Sequence, residues 1–367
     1  MKLIRVAAWA GSLDVLLAGQ LRFLSGRYDV VGVASPDSEL HDRIRSREGI
    51  RTVELPIERR IAPIRDLLSL VRLYRLFRRE RPAIVHSLTP KAGLLSMTAA
   101  WAAGVRVRVH TFTGLIFPWR RGALRRVLLF TDRLTCAFAT HIIPEGEGVR
   151  RDLTSHRVTR KPLRVLAGGG VNGVDTEHFK PPVTRPDDGI TRFVFVGRLV
   201  RDKGVEELRA AFEGVENAEL VLVGPLEQAL DPLTGPTLEW AKRFGVGFQQ
   251  DIRPFLAAAD VLVLPSHREG FPGAPLQAGA MGLPAIVTDI CGCNEIVVDG
   301  VTGLLVAPHD TKSLHDAMAR LAADPALRRT MGGAARERVV ENFGCERVWA
   351  ALLDFYDEAT NEVSKVH

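Results

Sequence analysis

A glutamate and a glutamine eight residues apart frame the stretch richest in chemistry, Arg268-Glu269-Gly270-Phe271-Pro272-Gly273-Ala274-Pro275-Leu276-Gln277. The apolar run Val261-Leu262-Val263-Leu264 precedes it and Ala285-Ile286-Val287-Thr288 follows it. This spacing predicts a loop carrying a carboxylate, a short helix carrying an amide, and two buried strands flanking them. Parallel α/β sheets present polar groups at the carboxyl ends of their strands in this way. A carboxylate there accepts hydrogen bonds from sugar hydroxyls. Phe271-Pro272 stiffens the loop, and Gly273 lets backbone approach a ligand closely. The Gln277 amide both donates and accepts, so it can hold the two hydroxyls of a ribose. The segment points to a nucleotide-sugar ligand.

Upstream, Gly197-Arg198-Leu199 follows the apolar run ending at Val196, and Asp202-Lys203-Gly204 opens the next helical segment. Two cations at a helix start suit a pyrophosphate. Asp289-Ile290-Cys291-Gly292-Cys293-Asn294-Glu295 follows the second flanking strand, where Gly292 and the helix starting near Asn294 can offer N–H groups and Glu295 can cap that helix or touch substrate. In the first half, His86 and His110 are read as ending strands, and Lys91 opens a helix where it could meet an anionic acceptor. Taken singly, each of these residues also reads as an ordinary surface or structural side chain. Only as a set do they point to a nucleotide-sugar site.

These groups need strands and helices in alternation to hold them. Strands are expected at 3–8, 29–33, 52–55, 83–85, 106–110 and 141–143, with helices at 13–24, 40–47, 64–79, 91–103 and 124–136. Residues 167–190, with Gly168-Gly169-Gly170, Asn172-Gly173, Pro181-Pro182 and Pro186-Asp187-Asp188-Gly189, read as a linker. The alternation then restarts. Strands are expected at 193–196, 219–223, 247–249, 261–264, 285–287 and 304–306, and helices at 205–213, 237–244, 252–259, 313–323, 326–342 and 345–364. The pattern implies two doubly wound α/β domains facing each other across a cleft, at 1–168 and 169–347, with the last helix (about 348–367) crossing back to the first. No G-x-G-x-x-G follows the first strand, where Ala10-Gly11-Ser12 stands, and there is no P-loop, so dinucleotide redox chemistry and P-loop hydrolysis lack their usual signals.

Length, 367 residues, suits two domains, and 46% apolar with 25% charged residues is ordinary for a soluble chain. No run approaches the roughly 18 apolar residues of a spanning helix. The N-terminus reads as a buried strand rather than a signal peptide, because Asp14 interrupts its apolar run. Cysteines 136, 291, 293 and 345 match no zinc or redox spacing and are expected as free thiols in a reducing cytoplasm. Charge is divided unevenly: residues 1–165 hold 30 Lys+Arg against 14 Asp+Glu, and residues 166–367 hold 19 against 29. Two segments, 64–81 and 119–134, interleave arginines with large apolar residues, the composition of amphipathic helices that lie on anionic lipid. Peripheral contact with an anionic membrane through the basic first domain is therefore expected, with the solvated helix face as the alternative; no nucleic-acid partner is expected.

Together these residues resemble glycosyltransferase family 4, retaining enzymes of GT-B fold. The second half carries the resemblance from Gly197-Arg198 and Lys203-Gly204 through Glu269-Gly270-Phe271-Pro272, Gly282-Leu283-Pro284, Thr288-Asp289 and Glu295 to Asp299-Gly300-Val301-Thr302-Gly303. In the first half, Gly19-Gln20-Leu21, Thr89-Pro90-Lys91-Ala92-Gly93 and His110-Thr111-Phe112-Thr113-Gly114-Leu115 are similar to bacterial enzymes that build surface polysaccharides on polyprenyl diphosphate. The resemblance implies a hexosyl- or N-acetylhexosaminyltransferase that takes a UDP-sugar, needs no metal or other cofactor, and works at the inner face of the cytoplasmic membrane. It implies that Arg198 and Lys203 neutralise the donor diphosphate, with Gly197 beside them, and that Glu269 holds the sugar hydroxyls. It places the ribose at Gln277, backbone contacts at Gly273 and Ala274, His110 beside the transferring sugar, and Gly11 in a first-strand loop near the diphosphate. Relatives usually carry a second glutamate where Gln277 stands and a histidine where Leu88 stands. A soluble natural-product acceptor, or a GT-B sugar-nucleotide epimerase or hydrolase, remains the alternative.

Overall fold

The structure is a computed structural model that describes residues 1–58, 62–182, 188–229 and 231–364. Part of the expected linker, including Pro186 and Asp187, and the last three residues of the expected terminal helix lie outside the described residues. The chain forms two units, Met1–Asn172 with Cys345–His367, and Gly173–Gly344.

Unit 1 is built on the strands β1 (Lys2–Val6), β2 (Asp29–Ala34), β3 (Arg51–Glu54), β4 (Ile84–Leu88), β5 (Val107–Phe112) and β6 (His141–Pro144), all parallel in the order β3-β2-β1-β4-β5-β6. Its central strands are buried along nearly their whole length, as in parallel sheets with helices on both faces, although Arg5, His86 and His110 interrupt their apolar residues. The terminal helix Cys345–Ser364 packs into this unit. Leu352, Phe355, Tyr356 and Ala359 join the cluster formed by Leu3, Ala7, Leu21 and Ile84. Tyr356 also reaches the polar centre of the sheet, where its hydroxyl accepts from Arg5 Nη1 at 3.2 Å and lies 2.5 Å from His86 Nδ1. Arg5 is fully buried, and Gln20 Oε1 accepts from it at 2.8 Å.

Unit 2 carries β7 (Thr191–Val196), β8 (Ala218–Val223), β9 (Val261–Leu264), β10 (Ala285–Thr288) and β11 (Gly303–Val306), parallel in the order β11-β10-β9-β7-β8. The chain leaves β7 toward β8 on one side, then returns to lay β9 on the other. The winding direction therefore reverses between β7 and β9, and ligands of open α/β sheets bind outside the carboxyl ends of strands at that point.

Four expectations need correction. The helix expected over 13–24 is two, Ala10–Leu16 and Gln20–Ser25, because Leu17 leaves helical geometry and Trp349 lies against Gly19. No strand forms at 247–249; only Gly245 bridges Leu222, and Phe248 is 63% exposed, so the segment has no face to bury. The helix Glu147–Ser155 was not anticipated, its nine residues being mostly polar. Finally, β4 and β5 run on to Leu88 and Phe112, so His86 and His110 lie inside strands rather than at their ends. The pairing of Thr111 with Ile143 and of Phe112 with Pro144 extends β5 past His110.

Candidate active site

The carboxyl ends of β7 and β9 carry the residues the sequence singled out. After β7, Gly197 N–H donates to Val223 carbonyl at 2.9 Å, and Leu199 N–H donates to Pro225 carbonyl at 2.9 Å. The Arg198 side chain between them is half-buried, and its Nη1 donates to Glu227 Oε2 at 3.2 Å. A short turn, Arg201–Lys203, then leads into the helix Val205–Phe212. After β9, Ser266 is buried and Glu269 nearly so. Lys203 Nζ donates to Glu269 Oε1 at 2.6 Å, and Ser266 Oγ donates to the same oxygen at 2.7 Å. A second ion pair, Arg268 to Asp202 at 2.7 Å, and the bond from His267 N–H to Asp202 carbonyl at 2.9 Å tie the same loops together.

Two glycines make this approach possible. A Cβ on Gly204 would stand 2.0 Å from the Pro265 carbonyl oxygen, and one on Gly292 would stand 2.1 Å from that of Gly270. The loops after β7, β9 and β10 thus meet backbone to backbone around Glu269, where only glycine fits. Beyond them, Gly273 and Ala274 open the helix Gly273–Ala280, and Gln277 stands half-buried on it. Glu295 caps the helix Cys293–Ile296 by accepting from Gly292 N–H at 3.2 Å.

Site residues of unit 1 are placed differently. His110 is 1% exposed; its Nδ1 lies 2.9 Å from Ser87 Oγ, and its ring fills the space a Cβ on Gly93 would need. Burial drives its pKa down to about 3, so the imidazole is neutral. Burial, then the Arg5 charge, lowers His86 as well. Lys91 donates to Asp66 Oδ1 at 2.9 Å and to Oδ2 at 3.0 Å. Gly11 sits in the helix Ala10–Leu16 rather than in a loop, under the ring of Trp9. The structure thus gathers Lys203 and Glu269 with Gly204, Ser266 and Gly292, sets Arg198 at the neighbouring strand end, and leaves His110 and Lys91 satisfied by partners in unit 1. Sequence reasoning missed Ser266 and Glu227. Ser266 directly follows Pro265 at the end of β9, which was a usable signal; Glu227 gave none.

Unit 1 also exposes an apolar and basic surface. On the helix Pro63–Glu80, Ile64, Leu67, Leu68, Val71 and Tyr74 face solvent with Arg72, Arg75, Arg78 and Arg79. On Gly122–Phe138, Leu124, Val127 and Phe130 do so with Arg126 and Arg133, and Trp119 stands just before it. Both helices pack against Pro90–Ala102. Among the described residues no helix is long and apolar enough to cross a membrane.

Comparison with known proteins decides the family. Residues 176–338 match the family model of glycosyl transferases group 1, and residues 17–169 match a glycosyl transferase 4-like domain. The capsular polysaccharide biosynthesis glycosyltransferase CapM of Staphylococcus aureus is 30% identical over 367 aligned residues, covering 95% of this chain and 94% of that one. The chain belongs to this glycosyltransferase family. Escherichia coli UDP-Gal:alpha-D-GlcNAc-diphosphoundecaprenol alpha-1,3-galactosyltransferase is also 30% identical, over 81% of each chain. The fold matches HepE of Anabaena, solved with UDP and glucose, at a TM-score of 0.82 and 17% identity over 98% of this chain and 100% of that one. The fold is therefore GT-B, and the loops after β7, β9 and β10 belong to a glycosyltransferase whose relatives include a capsular polysaccharide enzyme.

Proposed function

We propose that this glycosyltransferase moves a hexose or N-acetylhexosamine from a UDP-sugar to a hydroxyl of a polyprenyl-diphosphate-linked glycan, with retention of configuration and without a metal in the reaction. The observation that carries this reading is the cluster of Lys203, Glu269 and Ser266 at the strand ends where the unit 2 sheet reverses its winding, with Arg198 on the adjoining strand. The E. coli relative, named for a UDP-sugar donor and a diphosphoundecaprenol acceptor, supports the substrate class.

Arg198 and Lys203 meet the donor diphosphate and stabilise the negative charge that builds on it as the glycosidic bond breaks. Before donor binds, each cation is held by a carboxylate, Glu227 and Glu269 respectively. Glu269 accepts from the sugar hydroxyls, and Ser266 and Lys203 fix its orientation. The acceptor oxygen bonds to the anomeric carbon on the face from which UDP departs, the bond from that carbon to the β-phosphate oxygen breaks, and the acceptor proton passes to a diphosphate oxygen. No side chain is needed as base, which agrees with a neutral, buried His110. Gly197 lies beside the diphosphate, and Gly273 and Ala274 give backbone contacts. Lys91 meets the anionic acceptor by exchanging Asp66 for its phosphate. The exposed apolar and arginine-bearing helices of unit 1 hold the enzyme on the anionic inner face of the cytoplasmic membrane, where such an acceptor resides.

Gln277 binds the ribose with neutral hydrogen bonds, about half as strong as those of a carboxylate. Gln277→Glu is expected to tighten UDP-sugar binding by about 10-fold, the equivalent of one stronger hydrogen bond; titration calorimetry showing unchanged affinity would remove the ribose from this position. The function is tested by following UDP release across a panel of UDP-sugars, with and without a short polyprenyl-diphosphate glycan. Release that needs both one UDP-sugar and the lipid-linked acceptor is expected. Conversion of the UDP-sugar in the absence of acceptor would mark an epimerase or hydrolase instead.

A further inference from the structure

A cluster outside the groups assigned to the donor carries a different chemistry. Glu207 lies in the first turn of the helix Val205–Phe212, His267 in the loop after β9, and His309 in the segment after β11. His267 Nε2 stands 2.9 Å and His309 Nδ1 3.4 Å from the same oxygen, Glu207 Oε1. The two imidazole rings are 3.8 Å apart between centroids, and one ligating atom from each of the three residues falls within a 4.8 Å group. Meanwhile Glu207 Oε2 is buried with no hydrogen-bond partner. Two histidines hydrogen-bonded to a carboxylate would account for Oε1 but leave the second oxygen desolvated at a cost.

A shared cation accounts for the convergence of the rings and neutralises a carboxylate whose second oxygen has no partner. Zinc bonds of about 2.0–2.1 Å in a tetrahedron set ligand atoms roughly 3.3 Å apart, between the two separations seen here. Two imidazoles and one carboxylate suit zinc, cobalt or nickel better than magnesium or calcium, which prefer oxygen alone. His309, 61% exposed along its side chain, leaves an entry path, whereas Glu207 and His267 are mostly covered. We propose that Glu207, His267 and His309 form a binding site for one divalent transition-metal ion of the zinc class, with water in the fourth position. The ion ties the start of the helix after Lys203 to the loop that carries Glu269 and to the segment after β11. It acts as a clamp on those segments and takes no part in sugar transfer. The inference stands apart from the donor assignment, since it uses none of the donor residues.

The test is titration of the metal-stripped, untagged full chain with Co²⁺, followed by visible absorption. One equivalent is expected to bind with the spectrum of a four-coordinate N/O site and to be displaced by Zn²⁺. His309→Ala and Glu207→Gln should each weaken binding by about 10-fold or more, and His178→Ala, at an exposed histidine elsewhere in unit 2, should leave it unchanged. The His309 variant retains the fold because its side chain is largely in solvent, and circular dichroism checks this. Zn²⁺ is expected to raise the unfolding temperature of the parent chain but not of His309→Ala. Failure to bind Co²⁺ at micromolar concentration, or binding that survives both substitutions, overturns the site.

Discussion

Arg198→Ala is expected to lower turnover of the UDP-sugar by about 10²–10³-fold, the usual effect of removing one charge-stabilising group from a leaving group or oxyanion. The chain should remain folded, because Arg198 and its partner Glu227 are each about a third exposed and their ion pair adds little to stability. The companion Lys203→Ala should lose a similar factor and also stability. Its side chain and that of Glu269 are only 16% and 11% exposed, so the mutation strands a nearly buried carboxylate. Breaking a buried pair costs about 3–5 kcal/mol, and Ser266, which still donates to Glu269, holds the loss toward the lower end. Steady-state kinetics with urea denaturation separates the two effects. Near-normal turnover in both variants would move the diphosphate away from these cations.

The second large effect is at Glu269. Glu269→Gln keeps the shape of the side chain but removes the charge that receives the sugar hydroxyls and Lys203. Hydrogen bonds to a charged group contribute about 1.5–3 kcal/mol each, so kcat/KM should fall by about 10²-fold. The signature differs from that of Arg198→Ala. Affinity for UDP itself should survive in Glu269→Gln, while the preference for UDP-sugar over UDP is lost; Arg198→Ala should weaken both ligands together. Calorimetric titration with UDP and with UDP-sugar distinguishes them. A Glu269→Gln variant that loses UDP and UDP-sugar equally would place the carboxylate at the nucleotide rather than the sugar.

Much of this arrangement is legible in the sequence, and the illegible part has definite causes. The runs Val261–Leu264 and Ala285–Thr288 are strands because short, mostly apolar runs bounded by Pro and Asp can be buried on both faces. Gly204 and Gly292 announce tight turns, but that each faces the carbonyl of another loop is a tertiary fact. The pairing of Lys203 with Glu269 spans 66 positions and has no local signal. The expected strand stops two residues short of the end of β5; the pairing of β5 with β6 carries His110 inward, and Gly93 supplies the room. The terminal helix was recognisable by its length and periodicity. The reach of Tyr356 to Arg5 and His86, roughly 350 and 270 positions away, was not.

The charge division of the sequence also finds a physical counterpart. The excess arginines of the first 165 residues do not all disappear into ion pairs: Arg72, Arg75, Arg78, Arg126 and Arg133 stand on helices that also expose Ile64, Leu67, Val127 and Phe130. The basic, apolar-faced first half is what the proposed contact with an anionic lipid surface requires.

In the proposed reaction, the loops after β7, β9 and β10 deliver a UDP-bound sugar to a lipid-linked acceptor with its anomeric configuration kept. Its most direct measurement is the product itself: the UDP-sugar that supports acceptor-dependent UDP release is incubated with a short polyprenyl-diphosphate glycan, and the new linkage is read by mass spectrometry and by the anomeric proton coupling in NMR. A mass gain of one hexose or N-acetylhexosamine joined by an α linkage is the expected result. A β linkage from an α-configured donor, or UDP formed with no sugar on the acceptor, would rule out retaining transfer to a lipid-linked glycan.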